Sequence, residues 1–203
     1  LNLGHDSLWF DEELTRQTAA TGFAAALAVR DHVPLLYWLT TAALRLLPEH
    51  EVTLRLVSAL AGVLAVPLLV AFGRAVRLPR AGLWAALLLA VSPSAIRYSQ
   101  EARHYSLLLL FSLLALYWLY RAMSSPDLSG ERTPVRRPDR STRNWLLYGI
   151  SAALALMTHY SAWLLLAAQA AVVAVWLLGR LRAGERGVVA RLAPAAAVVG
   201  LAL

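Results

Sequence analysis

The feature that most constrains this chain is an uncharged run of 34 residues, Trp145–Leu178, with no Asp, Glu, Lys or Arg. Apolar runs of about 20 residues are typical of helices that cross a membrane. As a single helix this run would be about 51 Å long, well beyond the roughly 30 Å hydrocarbon core of a bilayer. The sequence therefore predicts two spans, 145–158 and 161–178, joined by a turn at Thr158-His159-Tyr160-Ser161.

Further apolar runs extend this prediction to the rest of the chain. The chain is 59% hydrophobic, whereas soluble domains are roughly 45–50% apolar. We therefore predict an all-α fold class, a polytopic transmembrane helical bundle. The remaining spans are predicted at about 52–72, 81–96, 106–121 and 192–203, with a polar cytoplasmic loop at 123–143.

A long external loop, 1–51, is predicted to precede the first of these spans. Its apolar run at 33–47 is 15 residues long and contains Arg45, which makes it too short to span. We expect it to form a helix parallel to the membrane. Because the chain begins at Leu1 and ends inside an apolar run, we expect one membrane domain, 1–203, incomplete at both ends.

The distribution of arginine predicts the orientation. If the loops 73–80, 121–143 and 179–191 are cytoplasmic, they hold 13 of the 19 arginines, and the opposite side holds six. Cytoplasmic loops of membrane proteins carry such an excess of basic residues. Orientation thus accounts for the net charge of +7, and no nucleic-acid partner is expected. Eight of the 12 acids and all five histidines fall on the non-cytoplasmic side.

Two acids near the start of the chain, Asp11 and Glu12, are candidate catalytic residues. They follow Trp9 and Phe10, and partial desolvation beside these rings would raise a carboxyl pKa and give a usable general base. Such acids could also bind Mg²⁺ or Mn²⁺. The alternative is structural, with Asp11 capping a helix from about Glu12 to Val29.

A polar segment, Arg97 to Tyr105, separates two apolar runs and supplies a second group of candidates. On a helix, Glu101, His104 and Tyr105 would share a face through i, i+3 and i+4 spacing. Arg97 and Arg103 could hold a phosphate by bidentate hydrogen bonds. The alternative is a polar loop with a local Glu–Arg pair.

His159 is a third candidate, in the turn between two predicted spans. A lone histidine beside Tyr160 can also be an ordinary interfacial residue. No pair of histidines has the spacing of a metal site, and the chain has no cysteine, so no metal ligands are predicted.

Several segments, taken in order, resemble the polytopic glycosyltransferases of the C-type fold, in particular the protein O-mannosyltransferases and the lipid A aminoarabinose transferases (glycosyltransferase family 39). The segments are Ser7-Leu8-Trp9-Phe10-Asp11-Glu12, His32-Val33-Pro34-Leu35-Leu36-Tyr37, Arg55-Leu56-Val57-Ser58-Ala59-Leu60-Ala61-Gly62, Ser92-Pro93 with Tyr98-Ser99-Gln100-Glu101-Ala102-Arg103-His104-Tyr105, and Thr158-His159-Tyr160.

The resemblance implies an enzyme of the cell membrane with its active site on the periplasmic or extracellular side. It would move a sugar from a polyprenyl-phosphate donor to a protein, lipid or glycan acceptor, with inversion. The resemblance gives catalytic roles to Asp11, Glu12 and Glu101, and substrate contacts to a second set: Arg97, Arg103, His104, Tyr105 and His159. No cofactor is required, and a divalent cation is optional.

Two other functions fit the same spans. In a transporter or lipid-sugar flippase, the acids would serve as proton or substrate sites. Transporters usually hold such groups near mid-membrane and contain internal repeats, neither of which this sequence has. In a non-catalytic membrane scaffold, the external acids would only be solvated.

Overall fold

The computed structural model describes residues 10–20, 34–48, 50–125, 140–184 and 187–202, and every regular element within them is a helix. The all-α prediction is confirmed for these residues. The helices are α1 (Phe10–Ala20), α2 (Leu35–Leu46), α3 (Glu51–Ala75), α4 (Pro79–Val91), α5 (Pro93–Gln100), α6 (Tyr105–Met123), α7 (Arg140–Leu156), α8 (Ala162–Arg182) and α9 (Val188–Leu201).

Several of these helices can cross a membrane. Within the described ranges, α3, α6 and α8 are long and apolar enough to do so, and α4 with α5 forms a fourth candidate that is bent by 60°. The chain is therefore a multi-pass membrane protein. The predicted turn at 158–161 lies in the break between α7 and α8.

The bend between α4 and α5 has a local cause. Pro93 cannot donate a backbone hydrogen bond to the preceding turn, and it is well suited to the first position of a new helix. The hydroxyl of Ser92 accepts a 3.4 Å hydrogen bond from the backbone N–H of Ala95 and caps α5. The apolar run predicted at 81–96 is therefore two helices, and the second continues to Gln100.

Two local predictions differ from the structure. Helix α1 begins at Phe10, so Asp11 lies within its first turn and is not the residue that precedes it; the predicted continuation to Val29 lies outside the described residues. The polar segment is not one helix either. Because α5 ends at Gln100 and α6 begins at Tyr105, Glu101 and His104 lie in the connection, and the predicted shared helical face is wrong.

The chain divides into two compact units, one of residues 1–111 and 157–160 and the other of residues 112–156 and 161–203. In the first unit, α3 packs against α2, α4 and α5, and α1 packs against α2. In the second, α9 packs closely on α7. A Cβ on Gly149 would lie 2.7 Å from the Cα of Ala195, so only glycine permits this approach. The candidate residues described below belong to the first unit.

Candidate active site

A buried carboxylate joins the start of α1 to two distant parts of the chain. Oε1 and Oε2 of Glu12 accept hydrogen bonds from Nε and Nη2 of Arg55, at 3.0 and 2.8 Å. Oε1 also accepts a 2.8 Å hydrogen bond from the backbone N–H of Ala102. Glu12 is 1% exposed and Arg55 is 3% exposed. This bidentate pair therefore fixes α1 against α3 and against the connection that follows α5.

The same hydrogen bond explains why the polar segment is not a continuous helix. Glu101 is extended, with φ −98° and ψ 142°, and the next N–H points to Glu12 instead of a helical carbonyl. The hydroxyl of Ser58, one turn after Arg55 on α3, donates a 2.8 Å hydrogen bond to the carbonyl of Arg103. Two contacts from other elements thus hold the backbone of this connection in place.

Four aromatic rings lie side by side at this connection. The rings of His104 and His159 are stacked, with centroids 4.2 Å apart and an angle of 15° between planes. Tyr105 lies 4.4 Å from His104 and 4.6 Å from Tyr98. His159 comes from the turn after α7, which is attached here by a 3.0 Å hydrogen bond from Leu35 N to the carbonyl of Met157. The structure thus brings together three predicted residues: His104, Tyr105 and His159.

One arginine lies over a ring of this cluster, and a second pairs with Glu101. The Cζ of Arg103 lies 5.8 Å from the centroid of Tyr105, a cation–π distance. The Nε of Arg97 donates a 2.9 Å hydrogen bond to Oε1 of Glu101. The side chain of Arg97 is 71% exposed, so this pair lies at the surface. Positive charge is therefore available near the aromatic rings.

Asp11 lies beside Glu12 in the first turn of α1, and its side chain is outside the described residues. Glu13 is in a different environment from Glu12. The hydrogen bond from Arg16, and then that from Gln17, lowers the pKa of Glu13 to about 2. A carboxylate with such a low pKa is a weak base, so Glu13 is a poor candidate for proton transfer.

An apolar cavity adjoins the aromatic rings. It has a volume of about 590 Å³ and is enclosed by α3, α4, α5 and the start of α6. Most of the lining residues are aliphatic, and four residues with hydroxyl groups also line the cavity: Tyr98, Ser99, Tyr105 and Ser106. Its size is typical of a ligand pocket. Two of these residues, Tyr98 and Tyr105, also belong to the ring cluster.

Sequence reasoning overlooked Arg55 and Tyr98 as site residues. Arg55 carried a usable signal, because an arginine in an otherwise apolar run needs a buried partner. Tyr98 belongs to one of the segments that resemble the family, but its contact with Tyr105 depends on the break between α5 and α6 and leaves no local pattern. Among the described residues, no three His, Cys, Asp or Glu side chains are grouped so as to hold a metal ion.

Comparison with known proteins assigns the family. The family model described as dolichyl-phosphate-mannose-protein mannosyltransferase matches residues 31–203. The chain, an all-helical membrane protein, belongs to this family. The match confirms the resemblance inferred from the sequence and supports a transferase over the transporter and scaffold alternatives. No curated protein and no solved structure matches the chain.

Proposed function

We propose that this protein transfers a sugar from a polyprenyl-phosphate donor to a hydroxyl of an acceptor on the non-cytoplasmic side of the cell membrane. The observation that carries the proposal is the contact of Glu12 with Arg55 and Ala102. It ties the acidic turn of α1 to the segment that holds Glu101, Arg103, His104 and Tyr105. This contact supports a single site built from residues that are about 90 positions apart.

Asp11 is the proposed general base. It would accept the proton of the acceptor hydroxyl while the oxygen attacks the anomeric carbon from the face opposite the leaving group. The bond between the anomeric carbon and the phosphate oxygen breaks, the polyprenyl phosphate keeps the electron pair, and the configuration inverts. No covalent sugar–enzyme intermediate is needed.

The leaving phosphate gains negative charge, and positive groups that already face it lower the barrier. Arg103 and Arg97 are the proposed groups, because a planar guanidinium can donate two parallel hydrogen bonds to phosphate. Glu101 would orient Arg97 through their 2.9 Å hydrogen bond. The rings of Tyr105, His104 and His159 would hold the sugar between the base and the phosphate.

Glu12 is better suited to positioning than to the catalytic role predicted for it. Its carboxylate is buried and is hydrogen-bonded to Arg55 and to the backbone of Ala102, which leaves it poorly placed to accept a proton from a substrate. By holding the first turn of α1, it would set the position of the adjacent Asp11. A divalent cation remains an optional addition.

The lipid part of the donor fits the apolar cavity. Its walls are mostly aliphatic, and two of its lining residues, Tyr98 and Tyr105, also belong to the ring cluster. A polyprenyl chain there would bring its phosphate close to Arg103, whose guanidinium lies over Tyr105. The family name specifies a dolichyl-phosphate-mannose donor and a protein acceptor, and we propose the same classes here, a polyprenyl-phosphate hexose and a protein.

The test is Asp11→Asn in the purified protein, assayed for sugar transfer from a radiolabelled polyprenyl-phosphate donor. Loss of a general base lowers kcat by roughly 10²–10⁴-fold. Glu13→Gln is the matched control, because it removes the neighbouring exposed acid and should leave kcat unchanged. Full activity in Asp11→Asn would refute the assignment of the base.

Glu12→Gln separates positioning from catalysis. The amide oxygen can keep the hydrogen bonds from Ala102 N and from Nε of Arg55, whereas the amide nitrogen cannot accept from Nη2. We therefore expect a lower stability and a partial loss of kcat, with the shape of the pH–rate profile unchanged. If Glu12→Gln were folded and as inactive as Asp11→Asn, Glu12 would be a catalytic residue.

A further inference from the structure

The second unit has a group of arginines at one end that the proposed function does not use. Arg121 lies near the end of α6, Arg140 and Arg143 lie in the first turn of α7, and Arg180 lies near the end of α8. We refer to these four residues as the arginine face. Their helix ends meet on one hydrophobic core, to which the buried residues Leu119, Ala122, Trp145 and Ala195 contribute.

Arg121 is held against an aromatic ring and joined to α7. Its Cζ lies 5.8 Å from the centroid of Tyr117, and Nη1 donates a 3.2 Å hydrogen bond to the hydroxyl of Tyr117. Nδ2 of the buried Asn144 donates to the carbonyl of Arg121 and to the hydroxyl of Ser125, at 3.2 and 3.0 Å. Because a guanidinium has five N–H donors, Arg121 keeps donors for a ligand.

Arg180 has the same arrangement on α8. Its Cζ lies 5.7 Å from the centroid of Trp176. The ring of Trp176 lies 5.7 Å from that of Trp145, which is 1% exposed. Trp145 directly follows Asn144, so the ends of α6, α7 and α8 meet around it. Two arginines of this face are therefore preorganised by rings from their own helices.

Among the described residues of this unit, the charged side chains are all basic. The described residues of the second unit, 112–125, 140–156, 161–184 and 187–202, contain no Asp or Glu. Arg121, Arg140 and Arg143 are exposed. The predicted orientation places this end at the cytoplasmic leaflet, where the membrane surface is negative because of its anionic lipids. Tyrosine and tryptophan are enriched at this depth in membrane proteins.

We infer that the arginine face binds the phosphodiester headgroup of an anionic phospholipid, such as phosphatidylglycerol, in the cytoplasmic leaflet. The guanidinium fork matches a phosphate in geometry as well as in charge. The aromatic rings beneath Arg121 and Arg180 keep these side chains extended along the surface at headgroup depth. The exposed apolar sides of the helices provide the surface for the acyl chains.

The test compares lipid binding by native mass spectrometry of the purified protein in detergent. Phosphatidylglycerol and phosphatidylcholine with identical acyl chains are offered at equal concentration. We expect a clear preference for phosphatidylglycerol. Loss of two surface arginines weakens diffuse attraction by about 25-fold, about fivefold for each. The double variant Arg121→Gln, Arg180→Gln should weaken binding by more than this, because these two ring-held side chains also contact the phosphate directly. The binding of phosphatidylcholine should not change.

The matched control is Arg74→Gln, Arg80→Gln. It removes the same charge from exposed positions in the last turn of α3 and the first turn of α4, on the same predicted side, where no ring contact is present among the described residues. Equal weakening by the two double variants would mean diffuse attraction and would overturn the site. Equal retention of the two lipids by the unmodified protein would also overturn it, as would full displacement of the lipid by soluble glycerol phosphate.

Discussion

The carboxylate of Glu12 and the guanidinium of Arg55 form a bidentate ion pair between residues 43 positions apart, and both side chains are almost completely buried. Removing two charges from water costs several kcal/mol per ion, and only close geometry with further hydrogen bonds offsets it. The N–H of Ala102 supplies one such bond. The pair therefore specifies the position of α1 more than it adds to net stability.

Replacing Arg55 alone should be severely destabilising. Arg55→Met keeps an unbranched apolar stem but leaves the charge of Glu12 buried without its partner, which costs roughly 3–5 kcal/mol. The measurement is denaturant unfolding in detergent micelles. Arg16→Gln is the control, because it breaks the half-exposed pair with Glu13 and should cost roughly 0–1 kcal/mol.

The double variant Glu12→Gln, Arg55→Met should be more stable than Arg55→Met alone. The neutral amide no longer needs a counter-charge, and its oxygen can still accept from Ala102. If Arg55→Met unfolded at the same denaturant concentration as Arg16→Gln, the ion pair would not be buried as described.

The helices α3, α6 and α8 were predictable as spans because hydropathy is a local property of the sequence. At the predicted spans 145–158 and 192–203 the structure has α7 and α9, which are not among the helices long and apolar enough to cross a membrane. The uncharged run Trp145–Leu178 had to contain a turn on grounds of length alone, and the structure has a break between Leu156 and Ala162. At Ser92-Pro93 the single span predicted at 81–96 divides into α4 and α5. The family resemblance was also readable, because its segments follow one another in order along the chain.

The connection between α5 and α6 was not predictable from local pattern. Its i, i+3, i+4 spacing is compatible with a helix, but the N–H of Ala102 is bound by Glu12, 90 positions away. A contact of that separation leaves no periodic signal. The stacked rings of His104 and His159 depend on the same break, so their proximity emerges only from the fold.

Gly62 provides a test of the packing between α3 and α5. A Cβ there would lie 2.7 Å from the Cβ of Ser99, an atom that cannot move without its helix. Overpacking of this kind typically costs roughly 1–3 kcal/mol, so Gly62→Ala should lower the free energy of unfolding by that amount.

Removing the opposing Cβ should relieve this clash. We expect the double variant Gly62→Ala, Ser99→Gly to lose less unfolding free energy than the two single variants lose in sum, because residues in contact couple energetically. Strict additivity in a double-mutant cycle, measured by unfolding in micelles, would contradict the close approach of α3 and α5.

The cavity predicts a dependence on the length of the donor lipid. Ala95 lines it, and Ala95→Leu would fill part of the space. We expect KM for a long polyprenyl-phosphate donor to rise by roughly tenfold or more, the scale of added methylenes in an apolar pocket. The value of kcat should stay constant, because the reacting groups are not altered.

For a donor with only two isoprene units, Ala95→Leu and the unmodified protein should have the same KM. Ala81→Leu, an exposed change on α4 outside the cavity lining, is the control for added bulk. If Ala95→Leu changed KM equally for the long and the short donor, the cavity would not be the site of the lipid chain. Sugar transfer would still be observed in that case, so the proposed reaction would stand.

Membrane orientation gives a last prediction, which is independent of any substrate. A reporter fused at residue 130 should indicate the cytoplasm, and one at residue 30 the opposite side, because 13 of the 19 arginines lie in the three loops placed inside. Paired fusions of alkaline phosphatase and a fluorescent protein measure this, as each is active on one side only. Since Glu12 contacts Ala102, the start of α1 and the 101–105 segment share one side. A cytoplasmic result at residue 30 would therefore move the whole candidate site to the cytoplasm, where a lipid-linked sugar displayed on the outer face could not reach it.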